Sequence, residues 1–163
     1  MGFSFPQGDS MDIKPIDFDD PRVVALLSLH VQGMRGSSPP ETVYVLDRAA
    51  LDVPEVRFFA AWDGEDLLGF GALKALDDTS GEIKSMRTDP RHLRKGVGEA
   101  ILKHLLALAR SRGYRRVSLE TGTSAAFDAA LALYLRHGFQ PGAPFADYAA
   151  SPHNQFLHLE LRD

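Results

Sequence analysis

The chain of 163 residues contains no cysteine. Disulfides, thiolate metal sites and a cysteine nucleophile are therefore excluded. Long apolar runs are missing too. Nothing approaches the roughly 18 consecutive residues of a membrane-spanning helix, and the first ten residues carry neither the basic nor the apolar stretch of a secretory signal. Met1-Gly2 opens like an N-myristoylation site, but Pro6 stands where that signal needs Ser or Thr. The expectation is a cytoplasmic protein with no membrane partner. Its six histidines, His30, His92, His104, His137, His153 and His158, never recur at the helical metal-ligand spacing, so no metal is expected. Excess positive charge is also lacking. A net charge of −4, with the basic residues concentrated at one turn rather than spread over a broad surface, argues against a nucleic-acid partner.

What is present is ordinary for one soluble domain: 44% apolar and 25% charged residues. Residues 1–10, rich in Gly, Pro, Ser and Gln, are set aside as an appended or disordered terminus, leaving a single domain over 11–163. Strand-like and helix-like segments alternate from Met11. A short strand over Met11 to Pro15 precedes a helix over Pro21 to Val31, started by Asp19-Asp20-Pro21. A second helix is expected over Glu41 to Leu51. Val56 to Trp62, Asp63-Gly64 and Leu67 to Leu73 read as a hairpin turning on Asp-Gly, and Gly81 to Thr88 extends its sheet. Trp62, Phe58, Phe59 and Phe70 are core by alternation and size. Val97, Ile101, Leu105 and Leu108 recur at helical spacing up to the stop at Gly113. A strand over Tyr114 to Thr121, a helix over Ala125 to His137 and a closing strand over Asn154 to Leu161 follow, with an irregular loop from Gln140 to Pro152 before the last.

The densest information lies in Glu82 to Ala100, which reads as strand, basic turn and helix start. Arg87, Arg91, His92, Arg94 and Lys95 crowd the turn, and Gly96 and Gly98 sit where the helix begins. Glycines there let the backbone approach an anion closely. The first amides of the helix, at its positive dipole end, point at the charge. The natural ligand is a phosphate or pyrophosphate. The Gly-Lys-Ser/Thr ending of a P-loop and a full G-x-G-x-x-G are both absent, which disfavours a nucleotide-binding loop of either kind.

Arg94-Lys95-Gly96-Val97-Gly98, followed by Ala130-Leu131-Ala132-Leu133-Tyr134-Leu135-Arg136-His137-Gly138-Phe139, resembles the GNAT acetyltransferases over residues 56 to 140. The resemblance implies an α/β (α+β mixed sheet) fold of the acyl-CoA N-acyltransferase type. Its central sheet would be splayed between the fourth and fifth strands and flanked by helices, with acetyl-CoA wedged in the gap. It also implies cofactor contacts from Met86, Arg87 and Thr88 on the strand and from Leu93, Arg94, Lys95, Gly96, Val97, Gly98 and Glu99 at the turn. Leu93 stands where the family has Arg or Gln, which removes a side-chain contact and leaves the backbone cradle. Phe127 stands where relatives often carry asparagine, seven residues before Tyr134, so that cofactor contact becomes apolar or absent.

N-acetylation sets two proton problems. A primary amine with a pKa near ~10.4 costs about 4.6 kcal/mol to neutralise at pH 7, and the leaving thiolate departs more easily if an acid protonates it. By the resemblance Tyr134 is that acid, its alternative being a helix residue packed on the sheet. Glu82, where some relatives place a glutamate base, is one candidate base, its alternative a solvated strand-end carboxylate. Glu120 on the neighbouring strand is the rival, and ordered water is the third option. Phe139, Phe145, Tyr148 and Phe156 are left open between an acceptor pocket, core and a homodimer contact. The implied partner is a small-molecule or peptide amine that attacks acetyl-CoA directly in a ternary complex; without cysteine or a well-set serine, a covalent acetyl-enzyme is disfavoured. A non-catalytic acyl-CoA sensor of the same fold is the alternative.

Overall fold

The structure, a computed structural model, describes residues 11–35, 49 and 51–161. The expectations for residues 1–10 lie outside these residues. So does that for the helix over 41–51, except that Ala49 and Leu51 are helical. The described elements are β1 (Met11–Pro15), α1 (Pro21–Arg35), β2 (Val56–Asp63), β3 (Asp66–Ala75), β4 (Ser80–Thr88), α2 (Val97–Ser111), β5 (Arg116–Gly122), α3 (Asp128–Arg136), β6 (Gln140–Gly142) and β7 (Asn154–Glu160). Turns of 3-10 helix occupy Pro90–His92 and Ala125–Phe127. The sheet order is β1-β2-β3-β4-β5-β7-β6. It is mixed: β4 and β5 are parallel, while β1 with β2, β5 with β7 and β6 with β7 are antiparallel. The chain divides into two compact units, residues 1–72 with 85–101 and residues 73–84 with 102–163.

In the first unit Asp20 caps α1, its carboxylate taking the Arg22 N–H at 2.8 Å and its carbonyl the Val24 N–H at 2.9 Å. Proline at the first helical position suits the fixed φ there. Val23, Leu26 and Leu27 of α1 join Phe58, Trp62 and Phe70 in one buried cluster, as the aromatic alternation predicts. The hairpin turns on Gly64-Glu65 rather than Asp63-Gly64, because β2 runs through Asp63. Only Gly64 takes a positive φ, at 60°, which is the arrangement of a II′ turn.

In the second unit each helix ends in the same device. After α2 the Tyr114 amide donates to Ala109 O at 3.1 Å and the Gly113 amide to Arg110 O at 3.0 Å, with Gly113 at φ 77°. After α3 the Phe139 amide donates to Tyr134 O at 3.1 Å and the Gly138 amide to Leu135 O at 3.0 Å, with Gly138 at φ 98°. Both are Schellman closures, and both need the left-handed residue that glycine supplies.

Two sequence expectations change here. The predicted helix over 125–137 begins as a 3-10 turn and becomes α-helical only at Asp128. The loop expected over 140–152 contains β6, whose Gln140, Pro141 and Gly142 pair with His158, Leu157 and Phe156. Pro141 cannot donate to a ladder, and such a strand is tolerated at a sheet edge, where β6 lies.

Candidate active site

The turn of the first unit runs from Asp89 to the start of α2. Asp89 anchors its entrance: the Asp89 amide donates to Leu68 O at 2.8 Å, and its carboxylate accepts from the Arg91 amide at 2.8 Å and from the Arg91 guanidinium. That hydrogen bonding holds the Asp89 carboxyl below the usual carboxylate range. Arg91 is thereby committed to the protein. Arg94 and Gly96 both take left-handed backbone angles, φ 66° and 79°, the kind of turn backbone from which anion-binding concavities are made. A side chain at Gly96 would meet nothing within 4 Å; the space over it is open. The Ala100 amide donates to Gly96 O at 3.0 Å, and the amides of Val97 and Gly98 precede it in the first turn, where a helix has no internal acceptors to offer. Leu93 is 58% exposed and supplies no polar group, consistent with a cradle made of backbone.

β4 changes character along its length. Its parallel ladder with β5 runs from Ser80↔Arg116 to Ile83↔Leu119 and ends there, while β5 keeps β7 as its partner to Gly122. Two residues later Ser85 adopts φ 57°, a left-handed angle that costs a non-glycine residue about 1–3 kcal/mol. Residues 84–88 are all half-buried, where Gly81 to Ile83 are buried.

The second unit assembles a polar cluster that the sequence does not announce. Register partners point to one face of a sheet, so Glu82, Ser118, His158 and Gln140 line up across β4, β5, β7 and β6. Glu120, two residues beyond Ser118, shares that face. Glu82 is only 2% exposed; it is not the solvated strand-end carboxylate that was one of its two sequence readings. Gly81 beside it admits the Tyr114 ring, which approaches within 2.8 Å of the place a Cβ would occupy.

A buried carboxylate needs donors. Tyr148, from the segment between β6 and β7, donates its hydroxyl to Glu82 Oε2 at 2.5 Å, within the range of charge-assisted O–H···O bonds. Lys84 Nζ lies 3.5 Å from the same hydroxyl and 4.0 Å from Glu82 Oε2. Burial, then the hydrogen bond to Glu82, then the charges of Glu82 and Glu120 raise the Tyr148 pKa. Glu120 is therefore near enough to add to the negative field at this hydroxyl.

Ser118 and His158 hold down the Tyr148 segment. His158 Nε2 is 2.8 Å from Ala143 O and donates to it, while in the neutral imidazole Nδ1 accepts the Ser118 hydroxyl, also at 2.8 Å. The Phe145 ring packs edge-on against His158, Phe156 and Tyr148 at centroid distances of 5.7, 5.9 and 5.1 Å. Of the four aromatics left open by the sequence, Phe145 and Tyr148 are half-buried and pack against Phe156, which is buried in the core. The fourth, Phe139, is core: it sits 5.7 Å from the Tyr134 ring.

That contact gives the Tyr134-to-Phe139 spacing its physical meaning, because the residues at the two ends of a Schellman closure pack together. Tyr134 is 5% exposed, and burial raises its pKa. Phe127 is 40% exposed at the start of α3, its ring lying where a Gly122 side chain would be. Lys84 is a residue that sequence reasoning missed, and Tyr148 was named there only as a candidate pocket aromatic, not as the partner of Glu82. The alternation of Glu82 and Lys84 was a usable signal, whereas Tyr148 lies 66 positions from its partner.

The raised tyrosines have a measurable consequence. Above about pH 10 the unfolded chain sheds phenolic protons that folded Tyr134 and Tyr148 retain, so stability is full below that pH and falls as pH rises. Thermal unfolding between pH 8 and 11.5 is expected to show a Tm decline that begins near pH 10. The decline should be shallower in Tyr134→Phe, and an unchanged slope would show that burial does not hold the phenol neutral.

Among the described residues no group of three His, Cys, Asp or Glu is placed to hold a metal ion, and no helix is long and apolar enough to cross a membrane. A seven-stranded mixed sheet with a parallel β4-β5 pair, joined through a glycine turn and α2, is the architecture of an acyltransferase fold. The sequence model described as the acetyltransferase (GNAT) family matches residues 23–139, and the chain belongs to that family. It is 52% identical over 149 residues to the uncharacterized N-acetyltransferase YedL of Escherichia coli, covering 91% of this chain and 94% of that one. It also aligns with the crystal structure of an acyl-CoA N-acyltransferase from Klebsiella pneumoniae at a TM-score of 0.73 and 28% identity, over 93% of this chain and 98% of that one. A GNAT acetyltransferase from Elizabethkingia anophelis, solved with acetyl-CoA bound, aligns at a TM-score of 0.68 and 20% identity, over 94% and 99% of the two chains.

Proposed function

We propose that the protein transfers the acetyl group of acetyl-CoA to a primary amine of a small molecule or peptide, by direct attack in a ternary complex. The observation that supports this reading is the turn at Arg94 to Gly98, whose left-handed residues and the helix-start amides of Val97 and Gly98 suit a backbone cradle for a pyrophosphate. The open space over Gly96 fits that group, and Arg94 and Lys95 add positive charge. Met86, Arg87 and Thr88 of β4 and Leu93 to Glu99 at the turn are the cofactor contacts of this reading. Phe127 supplies an apolar one and Tyr134 its hydroxyl. The family match runs through both units, in keeping with one catalytic domain over 11–163.

Glu82 serves as the base. One carboxylate oxygen is held by Tyr148, which leaves the other to take the ammonium proton, directly or through water. Glu120 is the rival. The negative field of Glu82 and Glu120 draws a cationic acceptor, and Phe145 and Tyr148, backed by Phe156, offer it an apolar wall. Tyr134 serves as the acid toward the departing thiolate.

Release of free coenzyme A across an amine and peptide panel, followed with a thiol reagent, tests the reading. Turnover supports it, and binding of acetyl-CoA without turnover on any amine would leave a sensor. Gly98→Val tests the cradle: a branched side chain at the helix start obstructs approach to the amides, and acetyl-CoA affinity is expected to fall tenfold or more by calorimetry. Unchanged affinity in a folded variant would move the pyrophosphate away from this turn.

A further inference from the structure

We propose that the Arg87 guanidinium binds an oxyanion, a carboxylate or phosphate carried by one of the two substrates. The proposal rests on the acetyl-transfer reading and adds a binding group to it. Arg87 lies two residues beyond the left-handed Ser85, in the half-buried part of β4. Its Nε is shut off from solvent and has no hydrogen-bond partner. Among the described residues it is the single buried side-chain nitrogen or oxygen in that condition.

Other arginines show what the fold does with a guanidinium that it uses structurally. Arg22 is paired with Asp20 at 2.8 Å, Arg91 with Asp89 at 3.1 Å and Arg116 with Glu160 at 2.5 Å. Each of those pairs has an exposed arginine, which water could have satisfied without help. Arg87 is the reverse case, partly withdrawn from water and, among the described residues, given no carboxylate. A lysine in that position could lose its proton to escape the cost, but a guanidinium stays charged at any working pH. Its N–H groups form a rigid planar fork that matches the two oxygens of a carboxylate or phosphate, and one such ligand satisfies both the orphaned Nε–H and the charge. A neutral carbonyl would satisfy only the hydrogen bond. An unpaired, half-buried cation is costly to the ligand-free protein, and removing it relieves that cost.

Two variants and two matched ligand pairs test this. Arg87→Met keeps an apolar stem and loses the fork and the charge, whereas Arg87→Lys keeps the charge alone. Calorimetry with acetyl-CoA against S-acetyl-pantetheine, which has no phosphate, reads the first source. Acetylation kinetics with free amino acids against their amides, at saturating acetyl-CoA, read the second.

Arg87→Met is expected to weaken one oxyanion-bearing ligand at least tenfold while leaving its oxyanion-free counterpart within twofold. Arg87→Lys should recover only part of the loss, and the ligand-free Tm of Arg87→Met should be equal to or above that of the parent. A loss confined to acetyl-CoA assigns the fork to a coenzyme phosphate; one confined to amino acids over amides assigns it to an acceptor carboxylate. Unaltered affinity in both pairs, equal loss for both members of a pair, or unfolding of Arg87→Met while Arg87→Lys stays folded would overturn the proposal. Turnover by the unmodified protein on any amine sustains the acetyl-transfer reading whatever the Arg87 variants do.

Discussion

Glu82→Gln is expected to lower kcat/KM by about 10²-fold between pH 6 and 7.5 and by much less at pH 9 and above. The pH dependence is the informative part. At neutral pH nearly all of a primary amine is protonated, and something must carry its proton away before nitrogen can attack. Toward pH 9 and beyond, more of the amine reaches the site already neutral and needs no base. Glutamine preserves the volume of the side chain, and its carbonyl can still accept the Tyr148 hydroxyl that Glu82 Oε2 accepts at 2.5 Å. The substitution therefore removes the proton acceptor and leaves the cluster assembled. A loss of equal size at every pH, with a lowered Tm, would mean that the 2%-exposed carboxylate was holding structure. No loss at all would transfer the role to Glu120 or to water.

How well the chain could be read without coordinates differs by the range of the interaction involved. Elements with local causes were legible: the α2 periodicity, the Asp20-Pro21 start of α1 and the glycines at 64, 113 and 138 all encode geometry within a few residues. The Tyr134-to-Phe139 spacing was legible as a family motif. Only the structure explains it as two ends of one helix closure. β6 was missed because three residues containing a proline and a glycine carry no strand periodicity, and its pairing with β7 is set by distant residues.

The same limit applies to the site. The burial of Glu82 depends on Tyr148, whose segment is fastened through Ser118, His158 and Ala143, residues spread over three parts of the chain. No window of sequence contains that arrangement. Composition and spacing could single out the basic glycine turn, since such a turn is itself a local structure, and could not choose between the readings of Glu82.

Tyr134→Phe is expected to lower kcat by roughly 10²-fold while acetyl-CoA affinity stays within a few-fold. Phenylalanine retains the ring and its edge contact with Phe139, so the closure of α3 survives and only the hydroxyl is lost. Burial raises the Tyr134 pKa, which keeps the phenol protonated and able to donate throughout the working range. Tyr148 is the other phenol whose pKa is raised, but its proton is committed to Glu82. A donor that assists thiolate departure is engaged more strongly in the transition state than in the ground state, and its removal falls on kcat rather than on binding. An acetyl thioester with a more acidic leaving thiol needs less assistance and should recover part of the lost rate. Full activity in Tyr134→Phe would leave the side chain a packing partner of Phe139. If Tyr148→Phe lost activity instead, and the acidic thiol rescued that variant, the acid would be Tyr148.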